Sequence, residues 1–127
     1  MDSLPELLDC LAKRPQMFVH PVTFPTVRAY LAGLAAGLRL TGAAWSWDEY
    51  NAAAEARGWD PTGNIGILRD FTRKGLSDAE MVRELIAVEA DAYARAAVRA
   101  AKPKRARRKS AEPGAAPDPR RKAGGGR

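Results

Sequence analysis

Apolar residues recur along this chain at helical rather than strand spacing. Leu4, Leu7, Leu8 and Leu11 follow the i, i+3, i+4, i+7 rhythm of one buried helix face. Ser3-Leu4-Pro5-Glu6 ahead of them is an S-x-x-E capping box with proline in the first turn, where its missing N–H costs nothing. Lys13 and Arg14 suit the negative end of the helix dipole, and Pro15 stops the helix. Prolines on both sides of Met17-Phe18-Val19-His20 predict a short extended segment, with no second strand for it to pair with. A second helix is predicted from Thr23 or Pro25 to about Thr41, with Val27, Tyr30, Leu31, Leu34 and Leu38 on its apolar face. Ala29, Gly33 and Gly37 form a stripe of small residues beside that face, which predicts close packing of another helix. Each glycine there costs roughly 1 kcal/mol of helix propensity, a cost that close packing would offset. Gly42 is the expected stop.

Two more S-x-x-E boxes follow. Ser46-Trp47-Asp48-Glu49 opens a short helix that runs through Arg57 to Gly58. Residues 59–64 are rich in turn formers, and Ile65, Ile67, Leu68 and Phe71 predict another short helix ending at Gly75. Ser77-Asp78-Ala79-Glu80, with Leu76 before it as a staple, opens the longest helix, from Asp78 to about Ala101. Its predicted inner face is Val82, Leu85, Ile86, Tyr93 and Ala97. The pattern therefore predicts an all-α fold: a compact bundle of four to five helices with one short extended segment, over residues 1–101. Residues 102–127 contain four prolines, four glycines, no aromatic residue and no large aliphatic one. Such a segment buries too little apolar surface to offset ordering entropy, so a disordered tail is expected.

Charge sharpens that boundary. Residues 1–101 hold 11 Lys and Arg against 13 Asp and Glu, and residues 102–127 hold 10 against 2. The net charge of +6 is thus a property of the tail, and the domain is mildly acidic. Lys102, Lys104, Arg105, Arg107, Arg108 and Lys109 form the densest basic run. Two readings stand side by side: non-specific nucleic-acid binding by phosphate neutralisation, and a solubilising tail. No aromatic residue is interleaved to stack on bases.

The chemistry-bearing residues are few. Cys10 is the only cysteine, so no intramolecular disulfide forms, which fits a reducing cytoplasm. The N-terminus lacks the basic start and apolar core of a signal peptide, and the most apolar run, Ala29 to Leu38, is about half of what spans a bilayer. One cysteine and one histidine, His20, do not make an activated nucleophile without an orienting third group. No zinc-ligand spacing occurs, and Gly63-Asn64-Ile65-Gly66 lacks the Lys-Ser/Thr of a phosphate loop. No cofactor, metal or catalytic residue is therefore expected. Glu89 is different: it falls between Ile86 and Tyr93 on the apolar stripe of the last helix. A carboxylate there needs a partner, an arginine or tyrosine if structural, a ligand or partner protein if functional. An enzymatic carboxylate would further require a cavity beside Glu89 and a raised pKa. Trp45, Trp47 and Trp59 are the other candidates, because an exposed tryptophan is the residue type most enriched in binding hot spots.

Arg14-Pro15-Gln16-Met17-Phe18-Val19 resembles an RPxM-aromatic-aliphatic signature found in the ATPase domain of the DNA gyrase B subunit, but the ATP-lid glycines and the length of that domain are missing. Taken with Leu7 to Leu11, Leu31 to Leu38, Trp45 to Trp59 and Gly75 to Tyr93, the same segment resembles small uncharacterised bacterial proteins, many actinobacterial. Some of these look like immunity proteins that accompany polymorphic toxins. His20 stands where their usual glycine does. The resemblance covers residues 1–101 and implies an immunity-like role with a toxin domain as partner; with the missing catalytic set and the mildly acidic domain, a non-enzymatic protein-binding module is expected, and with no signal peptide or spanning segment, a cytoplasmic one. The alternative is a nucleic-acid accessory protein acting through the tail. No membrane association is expected, and the oligomeric state is left open.

Overall fold

A computed structural model describes residues 3–62 and 66–102. The helices are α1 (Leu4–Lys13), α2 (Phe24–Arg39), α3 (Trp47–Ala56), α4 (Ile67–Arg73) and α5 (Asp78–Ala100), and no strand occurs among the described residues. The fold is an all-α bundle of five helices. Met1–Ala97 form one unit and Val98–Arg127 a second, and every core residue belongs to the first. The basic residues Lys104, Arg105, Arg107, Arg108 and Lys109 lie outside the described residues, as does the expected disorder of the tail; Lys102 is described and exposed.

The starts and stops are chemical. Ser46 and Ser77 each accept from the backbone N–H three residues on, while Glu49 and Glu80 reach back to the N–H of Ser46 and Ser77 at 2.8 Å. Thr23 and Thr26 build a further box at the start of α2. Its signature uses threonine in place of the acidic residue. Gly58 and Gly75 close α3 and α4 at φ +86° and +71°, a region that only glycine enters cheaply. Two features depart from expectation. The segment after α1 is not extended at its start: Pro15–Met17 form a 3-10 turn and Phe18 stays in the helical region. Pro15 occupies the first position of that turn, where its fixed φ fits, and Pro21 restrains only the residue before it. Among the described residues, the small-residue stripe is also not a packing seam. Ala29, Gly33 and Gly37 are exposed, and a Cβ built on either glycine meets nothing within 4 Å.

α5 is the central element. Val82, Leu85, Ile86, Val88, Ala92, Tyr93 and Ala96 are buried along it, a band wider than one amphipathic stripe. Ala97, expected inside, is exposed, because the neighbouring Ala96 takes the inward position. Leu8 and Leu11 of α1, Phe24, Val27, Leu31 and Ala35 of α2, Trp45 before α3, Ala53 and Ala54 of α3, and Ile67 and Phe71 of α4 complete the core. Phe24 and Phe71 meet edge to face at 6.2 Å. The Asp78 carboxylate accepts the Phe24 N–H with both oxygens at 3.0 Å, so the first turn of α5 caps the first turn of α2. α2 and α5 are thereby fixed to each other at one end.

Candidate functional site

Three carboxylates inside or beside the core fix connections, and one of them, Glu89, lines a cleft. Asp70 of α4 accepts the Asp60 N–H at 3.0 Å and has Arg73 and Lys74 at 3.8 and 3.9 Å. It pins the connection after α3. Glu84 of α5 accepts from Arg57 through Nε and Nη2, and from the Trp59 indole N–H at 3.0 Å. Trp59 also stands edge-on to Phe71 at 4.7 Å, with the Lys74 ammonium 4.6 Å from its ring centroid. These contacts assign Trp59 to the framework.

Glu89 is the third. It is 6% exposed, and its Oε1 accepts the Trp45 indole N–H at 3.0 Å. The hydrogen-bond partner is thus neither the arginine nor the tyrosine that burial suggests. Burial pushes the Glu89 carboxyl up to about 7, against the opposing pull of the Trp45 hydrogen bond and of the Arg39 charge. Trp45 is 7% exposed and packs against three aromatic rings: Trp47 at 5.0 Å, Tyr50 at 4.7 Å and Tyr93 at 6.4 Å. Trp47 is the outer member, 64% exposed, and meets Tyr50 edge-on at 5.6 Å. Burial first, then the charge of Glu89, raise the phenols of Tyr50 and Tyr93, the latter to about 12. Both therefore stay neutral near neutral pH. The Tyr93 hydroxyl has no hydrogen-bond partner among the described residues.

Trp45, Trp47 and Tyr50 of this aromatic group line a cleft of about 510 Å³ between α2, α3, α4 and α5. Glu89 is among its lining residues, and Ile67, Leu68 and Leu85 add apolar surface. α2 contributes Arg28, Ala32, Ala35 and Arg39 to the same lining. That spacing, i, i+4, i+7, i+11, puts all four on one helix stripe with the arginine Cα atoms roughly 16 Å apart. The two alanines leave the room, and the two arginines bracket it. Arg39 also sits over the Trp45 ring, 5.4 Å from its centroid. Neither arginine has an ion-pair partner among the described residues.

Of the candidates read from sequence, the structure brings Trp45, Trp47 and Glu89 to one cleft and leaves Trp59 out of it. Sequence reasoning missed Arg28, Arg39 and Tyr50. The signal that could have found the arginines is the Arg-Ala-Ala-Arg stripe itself, which shares no position with the predicted apolar face of that helix. Cys10 is half-buried and unpaired, and His20 is exposed. No group of three or more His, Cys, Asp or Glu able to hold a metal ion, and no helix long and apolar enough to cross a membrane, occurs among the described residues. No protein-family model, curated protein or solved structure matches this chain.

Proposed function

We propose that this protein is a binding module, and that the cleft takes up a small organic acid with a flat apolar body. The observation that carries this reading is the pairing, in the lining of one cavity, of aromatic rings with two arginines that form no ion pair among the described residues. A cavity of this size matches the range of small-molecule sites, about 300–1,000 Å³. Its charge complements an anion: arginine offers a planar fork of donors to a carboxylate or phosphate. The rings of Trp45, Trp47 and Tyr50 give the body of such a ligand a rigid apolar surface. Titration with 2-naphthoate, followed through the indole N–H signals, tests this. Trp45 and Trp47 should respond while Trp59 does not. Arg28→Ala and Arg39→Ala, both at exposed positions, should weaken binding of the probe while leaving the fold intact. The uncharged 2-naphthamide binding as tightly as the acid would overturn the proposal.

The exposed Trp47 favours a second reading, in which the domain binds a protein and neutralises it as an immunity protein does a toxin. That reading expects Trp47→Ala to abolish capture of one specific partner from the native host at physiological salt. Equal capture by wild type and variant would refute it.

A further inference from the structure

The buried carboxylate in the lining of the cleft carries more information than the arginines. Glu89 is more than nine-tenths buried, lines the cavity, and has one carboxylate oxygen committed to Trp45. That hydrogen bond comes from an indole N–H, which can only donate. It therefore fixes Oε1 as the acceptor and leaves Oε2 as the oxygen that can carry a proton. The geometry points to Glu89 as the specificity-determining group of the cleft, donating the proton on Oε2 to a hydrogen-bond acceptor at the inner end of the bound acid. The inference rests on the reading of the cleft as a small-molecule site. It narrows the ligand class to flat acids that carry an acceptor, such as a carbonyl oxygen, at the end remote from the acidic group.

Burial favours the protonated form of Glu89, and the charge of Arg39 and the Trp45 hydrogen bond oppose it without overriding it. Arg39 and Arg28 face the cleft from α2, Tyr50 from α3, and Tyr93 lies on α5 itself; α4 contributes the apolar Ile67 and Leu68. The two phenols are raised away from neutrality, so among Tyr50, Tyr93 and Glu89 it is Glu89 that changes charge between pH 6 and 8.5. A ligand that displaces water from the cleft removes further solvation from the carboxylate, which strengthens the preference for the neutral acid. An acceptor on the ligand then meets a donor, and binding takes up a proton at the upper end of that range.

Three probes with one body separate the possibilities: 4-acetylbenzoate with an inner acceptor, 4-ethylbenzoate with an apolar end, and 4-(aminomethyl)benzoate with an inner cation. Affinities are measured by calorimetry on the full chain at pH 6 and pH 8.5. The acetyl probe should bind tightest at pH 6 and weaken at least tenfold by pH 8.5. Glu89→Gln keeps an oxygen for Trp45 and offers an N–H₂ in place of the acid proton. It should retain the acetyl probe and lose the pH dependence. Tightest binding of the aminomethyl probe, with loss of that binding in Glu89→Gln, would overturn the inference and make Glu89 an anionic acceptor. Equal affinity for all three probes at both pH values would overturn it too, yet leave the small-molecule reading standing. Failure of all three to bind would sink both.

Discussion

Glu89→Gln exchanges one buried acid for a neutral side chain of the same shape, so its effect on stability isolates the cost of the charge. In the unfolded chain the carboxyl titrates near its ordinary 4.5, and in the fold near 7. The folded state thus holds the proton more tightly. Glu89 costs nothing while both states are protonated, and wild-type stability falls as pH rises from about 4.5 through 7. At about 1.4 kcal/mol for each tenfold change in proton affinity, the full difference is roughly 3 kcal/mol, of which about 2–3 kcal/mol develops between pH 5 and 8. Glutamine still accepts from Trp45 through its amide oxygen and has no charge to bury. Urea unfolding of both proteins at pH 5, 6, 7 and 8 reads the difference directly, because every other titrating group cancels between them. The variant should gain on the wild type steadily across the series, with a matching rise in relative Tm on the order of 10 °C. A difference that stays constant with pH would show that Glu89 is not held near neutrality by burial, and would remove the basis for a proton-donating carboxyl in the cleft.

Two further sets of substitutions test the framework. Asp78→Ala removes the carboxylate that caps α2 at Phe24 and should cost about 1–2 kcal/mol in denaturant unfolding; a loss under a few tenths would mean that the α2–α5 junction does not depend on that cap. Gly33→Ala and Gly37→Ala add a methyl to an open helix surface and should each stabilise by about 0.5–1 kcal/mol, whereas destabilisation would mean that a partner packs on that face.

The helices themselves are local events, and the sequence determines them. Ser46 with Glu49 and Ser77 with Glu80 specify where α3 and α5 begin, because each box closes within one turn. Gly58 and Gly75 specify where α3 and α4 end, for the same reason of reach. Glu89 could be marked as a residue in need of a partner from its place between Ile86 and Tyr93 alone. Its partner could not. Trp45 lies 44 residues away, and Asp78 reaches Phe24 across 54. Such pairs depend on how far each helix is rotated and slid against its neighbour, and spacing along one helix carries no record of either. The same rotation turned Ala29, Gly33 and Gly37 to solvent, directed Arg28 and Arg39 into a cleft with Trp45 and Trp47, and left Trp59 to brace α3 against α5 through Glu84. The helices are thus written in local spacing, while the site exists only where four of them meet.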